Sequence, residues 1–224
     1  MRMLMTVLAI ALAGSAAPAQ APANPYAIVR ATPTGSFVHG SAAAKVKLVE
    51  WFSMTCPHCA HFAGEAGAEL DQRIRSGSTS VEYRHFVFNP LDMTASILAR
   101  CGGPRRFPAN ARFLFERQRQ WIDAAQGWLG ANQAAHDAAD DAGKRRQLAQ
   151  GSGLLAMMRT RGYSAAQLNA CLANPAEPRR LAAMTLASRS AVRSTPSFAI
   201  NGTIVDDAHG WAELRPALIA ATGR

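Results

Sequence analysis

The sequence predicts an α/β fold in which a central mixed β-sheet flanked by helices is split by an all-helical insertion. Three observations predict it. A strand-like run, KVKLVEWF at 45–52, leads directly into a helical pattern that opens with Cys56-Pro57-His58-Cys59. Residues 91–192 carry helical patterning almost throughout. Two apolar runs, Phe198–Ile200 and Thr203–Val205, flank Asn201-Gly202 and precede a closing helical stretch, Trp211–Ala221.

Taken in order, residues 1–19 read as a secretory signal peptide. Arg2 supplies the positive start, Leu4 to Ala13 the apolar centre, and Ala17-Pro18-Ala19 the small-residue cleavage pattern. The apolar run is far shorter than the ~20 residues that span a bilayer. Residues 22–44, rich in Pro, Ala, Gly and Ser, read as a loose lead-in with a short edge strand over Tyr26 to Val29. This lead-in is too short to be a dimerisation domain, and the protein is expected to be a monomer.

In the strand 45–52, side chains alternate with period two, so Val46, Leu48, Glu50 and Phe52 share one face and Glu50 stands among apolar neighbours. Phe62, Ala66, Leu70 and Ile74 then recur every four residues, an apolar stripe along one helix face. Gly77 ends that helix, and Val81 to Phe88 reads as a second strand closed by Asn89-Pro90, which together give a parallel βαβ unit. The helices expected between 91 and 192 are Ala95–Cys101, Ala109–Ala125, Lys144–Arg161, Ala165–Leu172 and Glu177–Val192. They are punctuated by Gly102-Gly103-Pro104, Gly127, Gly151–Gly153, Gly162 and Asn174-Pro175. Asn201-Gly202 between its two runs is a strong hairpin signal favouring a type I′ turn.

The chain carries a formal net charge of +9, and loss of Arg2 with the signal leaves it strongly basic. No aromatic-interleaved basic strand accompanies that charge, and nucleic acid is not an expected partner. A solvated Arg-rich helical surface accounts for it. Four cysteines, two of them outside the CPHC, suit an oxidising compartment.

The chemistry centres on Cys56, which sits at the entry of its helix. The first N–H groups of a helix lack partners within it, and the aligned peptide dipoles place partial positive charge there, so the thiolate is favoured. Pro57 fits the first turn, having no N–H to leave unpaired. His58 adds a ring that can carry positive charge beside the sulfur. Stabilising the thiolate stabilises the reduced pair, and a dithiol whose reduced form is favoured acts as an oxidant. Electrons are therefore expected to flow from substrate thiols into Cys56–Cys59, with no cofactor beyond the redox-active disulfide. A buried carboxyl at Glu50 would have a raised pKa, suited to moving protons to and from Cys59. A lone CxxC is also half a zinc site, and Cys56, His58, Cys59 and His61 make a dense group of ligand types. A metal-binding protein is thus the competing reading, although no second CxxC or His pair completes the site. The duller reading of His61 is a polar residue on the exposed side of the helix.

The strand, CPHC and helix resemble the active site of the thioredoxin-fold DsbA family of periplasmic thiol:disulfide oxidoreductases. An acidic residue six positions before the first cysteine, matched by Glu50, and a cis-proline facing the dithiol, matched by Pro196 after Thr195, extend the resemblance. It implies a thioredoxin fold whose first half covers residues 20–90, a helical insertion at 91–192, and a second half at 193–224. It further implies protein disulfide oxidase activity in the periplasm, reduced or unfolded secreted polypeptides as substrates, and reoxidation by a DsbB-type membrane oxidase. Threonine before the proline is more typical of the isomerase branch, which leaves a disulfide isomerase or reductase as the alternative. Cys101 and Cys171 resemble the second, structural disulfide of the DsbA branch found in alphaproteobacteria; two buried free thiols are the other possibility. If paired, they would disfavour the unfolded state by roughly 4 kcal/mol.

Overall fold

The computed structural model describes residues 24–223. The expected signal peptide, residues 1–19, lies outside the described residues. Six strands form one sheet: β1 (Val29–Ala31), β2 (Phe37–His39), β3 (Val46–Phe52), β4 (Thr79–His85), β5 (Ser197–Ile200) and β6 (Thr203–Ile204). Their order across the sheet is β1-β2-β4-β3-β5-β6. The β3–β4 pair is parallel and every other pair is antiparallel. Strand β3 is central, so its C-terminal end, where the CPHC begins, is anchored on both sides.

Helix α1 (Pro57–Arg75) crosses from β3 to β4. Its stripe of Phe62, Ala66, Leu70 and Ile74 packs on Val46, Leu48, Val81 and Phe198 together with Leu214 and Leu218. The last two belong to the closing helix α9 (Trp211–Thr222). On the opposite sheet face Val49, Trp51, Phe86 and Ala199 pack with Val192. Because both faces are covered, β3 reads as a nearly continuous apolar run, as a central strand of a parallel unit should. At its end, Phe52 enters a second core made with the helical insertion, including Phe107, Leu114, Trp121, Met158 and Leu168.

The insertion runs α2 (Pro90–Arg100), α3 (Phe107–Phe115), α4 (Gln118–Asp137), α5 (Asp141–Gly151), α6 (Leu154–Thr160), α7 (Ala165–Ala173) and α8 (Ala176–Ser188). Several boundaries differ from expectation for local reasons. Tyr26 lies in a 3-10 turn, Pro25–Ala27, capped by the Asn24 side chain; the strand there is Val29–Ala31, and its partner Phe37–His39 was not expected. Strand β4 stops at His85 because Val87 N–H turns to the Thr185 hydroxyl and Phe88 N–H to Asp92. Helix α2 starts five residues early, at Pro90, since the Asn89 side chain accepts the Asp92 N–H. The expected helix 109–125 is two helices. The chain bends at Glu116-Arg117, where the Trp121 indole N–H supplies a partner for the Leu114 carbonyl. Gly127 does not end α4. The expected helix 144–161 is broken at Gly153, whose φ of +76° is left-handed. In the hairpin, Asn201 (φ 52°) and Gly202 (φ 88°) both take positive φ, as a type I′ turn requires.

Candidate active site

Cys56 is the N-cap of α1, with extended backbone (φ −77°, ψ 120°) and no side-chain cap hydrogen bond, and Pro57 occupies the first helical position. The N-terminal N–H groups therefore have no competing partner but the sulfur. Cys56 is half-buried and Cys59 is buried, and both are free thiols. Pro57 and His58 are exposed. His61 is also exposed and pairs at 3.1 Å with Glu65 one turn on.

The cis peptide Thr195-Pro196 lies immediately before β5. Register places Ser197 against Trp51 and Phe198 against Glu50, which brings the proline loop alongside the end of β3. The Cys56 thiol donates to the Thr195 carbonyl oxygen at 3.1 Å. Thr195 Oγ1 is buried beside the Cys56 sulfur and has no other hydrogen-bond partner.

The two sulfurs differ sharply in acidity. The Cys56 thiol is lowered to about 5, first by the hydrogen bond from Cys59 and, against the cost of partial burial, by the Thr195 side chain and the N–H groups of Cys59 and His58. Burial pushes the Cys59 thiol well above its ordinary value, and the hydrogen bond to Cys56 pushes the same way. One sulfur is thus held as an accessible thiolate and the other as a buried thiol.

Glu50 is 4% exposed, and burial raises its carboxyl to about 8. It lines a cavity of about 50 Å³ between the two cores, with Phe52, Phe115, Phe62 and Leu70 on the walls and Asp71 and Arg112 among its polar groups. Asp71 and Arg112 form a two-pronged ion pair at 3.0 Å. The cavity is mainly apolar, with Glu50, Asp71 and Arg112 as polar points on its wall.

Sequence reasoning did not find two buried residues of the insertion that hold the turn before Cys56. Asp92 accepts from the Ser53 hydroxyl (2.6 Å), Met54 N–H (2.9 Å) and Phe88 N–H (3.0 Å), and desolvation raises its carboxyl to about 6. Gln118 reaches the same turn from α4. Asp92, in the first turn of a helix capped by Asn89, had a weak signal; Gln118 had none. Cys101 and Cys171 are joined by a disulfide with a Cα–Cα separation of 5.8 Å. No group of three or more His, Cys, Asp or Glu that could hold a metal ion is found among the described residues.

A family model described as thioredoxin matches residues 32–220. The chain belongs to the thioredoxin family. A crystal structure of protein-disulfide isomerase from Novosphingobium aromaticivorans superimposes with a TM-score of 0.78 at 34% identity, covering 84% of this chain and 97% of that one. Wolbachia pipientis alpha-DsbA1 shares the fold, with a TM-score of 0.64 at 15% identity over 84% of this chain and 91% of its own. That likeness is one of fold: a thioredoxin fold with a helical insertion. Curated relatives from Rickettsia bellii and Rickettsia felis, provisionally named protein-disulfide oxidoreductases, are 36% and 34% identical over 86 residues, or 38% of this chain. The chain spans about a third of the length of these relatives.

Proposed function

We propose that this thioredoxin-family chain is a periplasmic protein thiol:disulfide oxidoreductase that introduces disulfides into secreted polypeptides. The observation that carries the reading is the opposed acidity of one dithiol, with Cys56 lowered to about 5 at the helix entry and Cys59 raised by burial. Such a pair is more stable reduced than oxidised and hands its disulfide on.

In the forward reaction a substrate thiolate attacks Cys56 Sγ of the oxidised pair. The new bond joins substrate to Cys56, the Cys56–Cys59 bond breaks, and Cys59 leaves with the electron pair. Glu50, protonated at neutral pH, supplies the proton that keeps Cys59 neutral. A second substrate thiolate then attacks the substrate sulfur of the mixed disulfide. A substrate disulfide is released and Cys56 leaves as the thiolate its surroundings favour. The proline loop, in which Arg193 and Ser194 are exposed next to the buried Thr195 and Pro196, offers backbone groups to an extended substrate segment. A DsbB-type membrane oxidase takes the two electrons and restores the pair. No described helix is long and apolar enough to cross a membrane. Signal cleavage after Ala19 would deliver the chain to the periplasm.

A second reading, disulfide isomerase or reductase, is favoured by Thr195 before Pro196 and by the name of the Novosphingobium structure. Equilibration of Cys56–Cys59 with glutathione, paired with refolding of reduced and of scrambled ribonuclease, separates the two. An oxidase equilibrates at a potential well above that of glutathione and oxidises the reduced substrate. A strongly reducing potential, with faster rescue of the scrambled substrate than a Cys59→Ser variant gives, would replace the oxidase reading with the isomerase one.

A further inference from the structure

Gln118 opens α4 and is 7% exposed. Its Nε2 lies 2.8 Å from the Met54 carbonyl oxygen and 2.8 Å from the Cys56 carbonyl oxygen. Both partners are acceptors only, so the amide must present its NH2 group to them. The Cys56 carbonyl also accepts the Ala60 N–H at 3.3 Å, the first hydrogen bond of α1. Gln118 therefore grips the peptide group from which the helix sets out. Across the same turn, Asp92 of α2 holds Met54 N–H and the Ser53 hydroxyl. Residues 53–56 are thus fixed by two side chains of the helical insertion, one taking donors and the other taking acceptors.

The consequence for the sulfur is geometric. The helix-entry N–H groups act on Cys56 Sγ only while the Cys56–Pro57 peptide keeps its orientation, since a small rotation there swings the whole first turn. The amide NH2 also brings partial positive charge against the backbone of the reactive residue.

We propose that Gln118 is a positioning residue for the dithiol, through which the helical insertion fixes the start of α1 and so sustains the Cys56 thiolate. This deepens the function proposed above and rests on its reading of Cys56 as the exchange thiol. The insertion then tunes the chemistry as well as shaping the surface around it. Loss of the two donors also leaves the Met54 and Cys56 carbonyls under-satisfied in a buried setting, which lets the turn relax.

The test is a pH titration of thiolate absorbance in the reduced protein for wild type, Gln118→Met and Gln118→Glu. Methionine keeps the length and fills the space without donating, and glutamate keeps the shape while replacing the donor with an acceptor. The expected result is a Cys56 midpoint raised by roughly one unit in Gln118→Met and by more in Gln118→Glu. A folded Gln118→Met protein with an unchanged midpoint overturns the proposal, because a packing role alone would move stability and leave the titration in place. The wild-type protein gives a second readout that needs no variant. The side-chain amide resonances of Gln118 should exchange slowly with water and shift along the Cys56 titration; fast exchange with no such shift overturns the proposal. A wild-type Cys56 that titrates like a free cysteine would instead overturn the exchange-thiol reading, and this inference with it.

Discussion

The sulfur of Cys56 lies 3.1 Å from the carbonyl oxygen of Thr195, a contact made across 139 residues of sequence. It joins the two halves of the thioredoxin fold at the reacting atom. As a thiol, Cys56 donates to that carbonyl; as a thiolate it cannot, and the buried, unpartnered hydroxyl of Thr195 is the donor beside it.

Thr195→Val keeps the shape and removes the hydroxyl. The expected outcome is a Cys56 midpoint raised by roughly half a unit to one unit, the scale of one hydrogen bond to a thiolate, with a less oxidising potential and little change in stability. Thiolate absorbance and glutathione equilibration measure it. An unchanged midpoint would assign the lowered pKa to the helix entry and the Cys59 thiol alone.

Glu50 makes stability depend on pH in a defined direction. Its carboxyl is raised to about 8 in the folded protein, against an ordinary value of about 4.3 in an unfolded chain. Between those values the folded state keeps a proton that the unfolded state has lost, so this group makes stability fall as pH rises through the window. Glu50→Gln should flatten that slope in urea denaturation across the series. It should also slow steps that load or unload the Cys59 proton, and a retained slope in the variant would place the titrating group elsewhere.

Replacing both Cys101 and Cys171 by alanine releases a loop of sequence separation 70. Stability should fall by about 4 kcal/mol from the greater freedom of the unfolded chain, measured by urea denaturation of the non-reduced protein. A loss well under 1 kcal/mol would show that the unfolded chain keeps these segments together without the bond.

Much of this architecture was legible because single residues carry strong local rules. Asn201-Gly202 specified its turn, Pro57 after Cys56 specified a helix entry, and the four-residue spacing from Phe62 to Ile74 specified a face. The misses share a cause: specific side-chain and strand partners override local pattern. No glycine or proline marks the break at Glu116, which depends on a side-chain contact seven residues apart, the Trp121 indole reaching the Leu114 carbonyl. Strand β2 is three residues long and exists because β4 lies beside it. Gln118 was invisible and Asp92 only faintly marked for the same reason, since their roles consist of hydrogen bonds to a turn 62 to 64 and 38 residues away. Residues whose chemistry is intrinsic, such as the cysteines, were readable from type and spacing, whereas residues that act by holding others were not.

The central claim is that Cys56 rests as a thiolate. Ultraviolet titration of the reduced protein, with Cys59 replaced by alanine in a parallel sample to separate the effect of its thiol, tests it most directly. The account predicts a Cys56 midpoint near 5 in the intact dithiol and a higher one when Cys59 is absent, because the Cys59 hydrogen bond is the largest contribution. A midpoint in the intact dithiol at the 8 to 9 of an ordinary cysteine would contradict it.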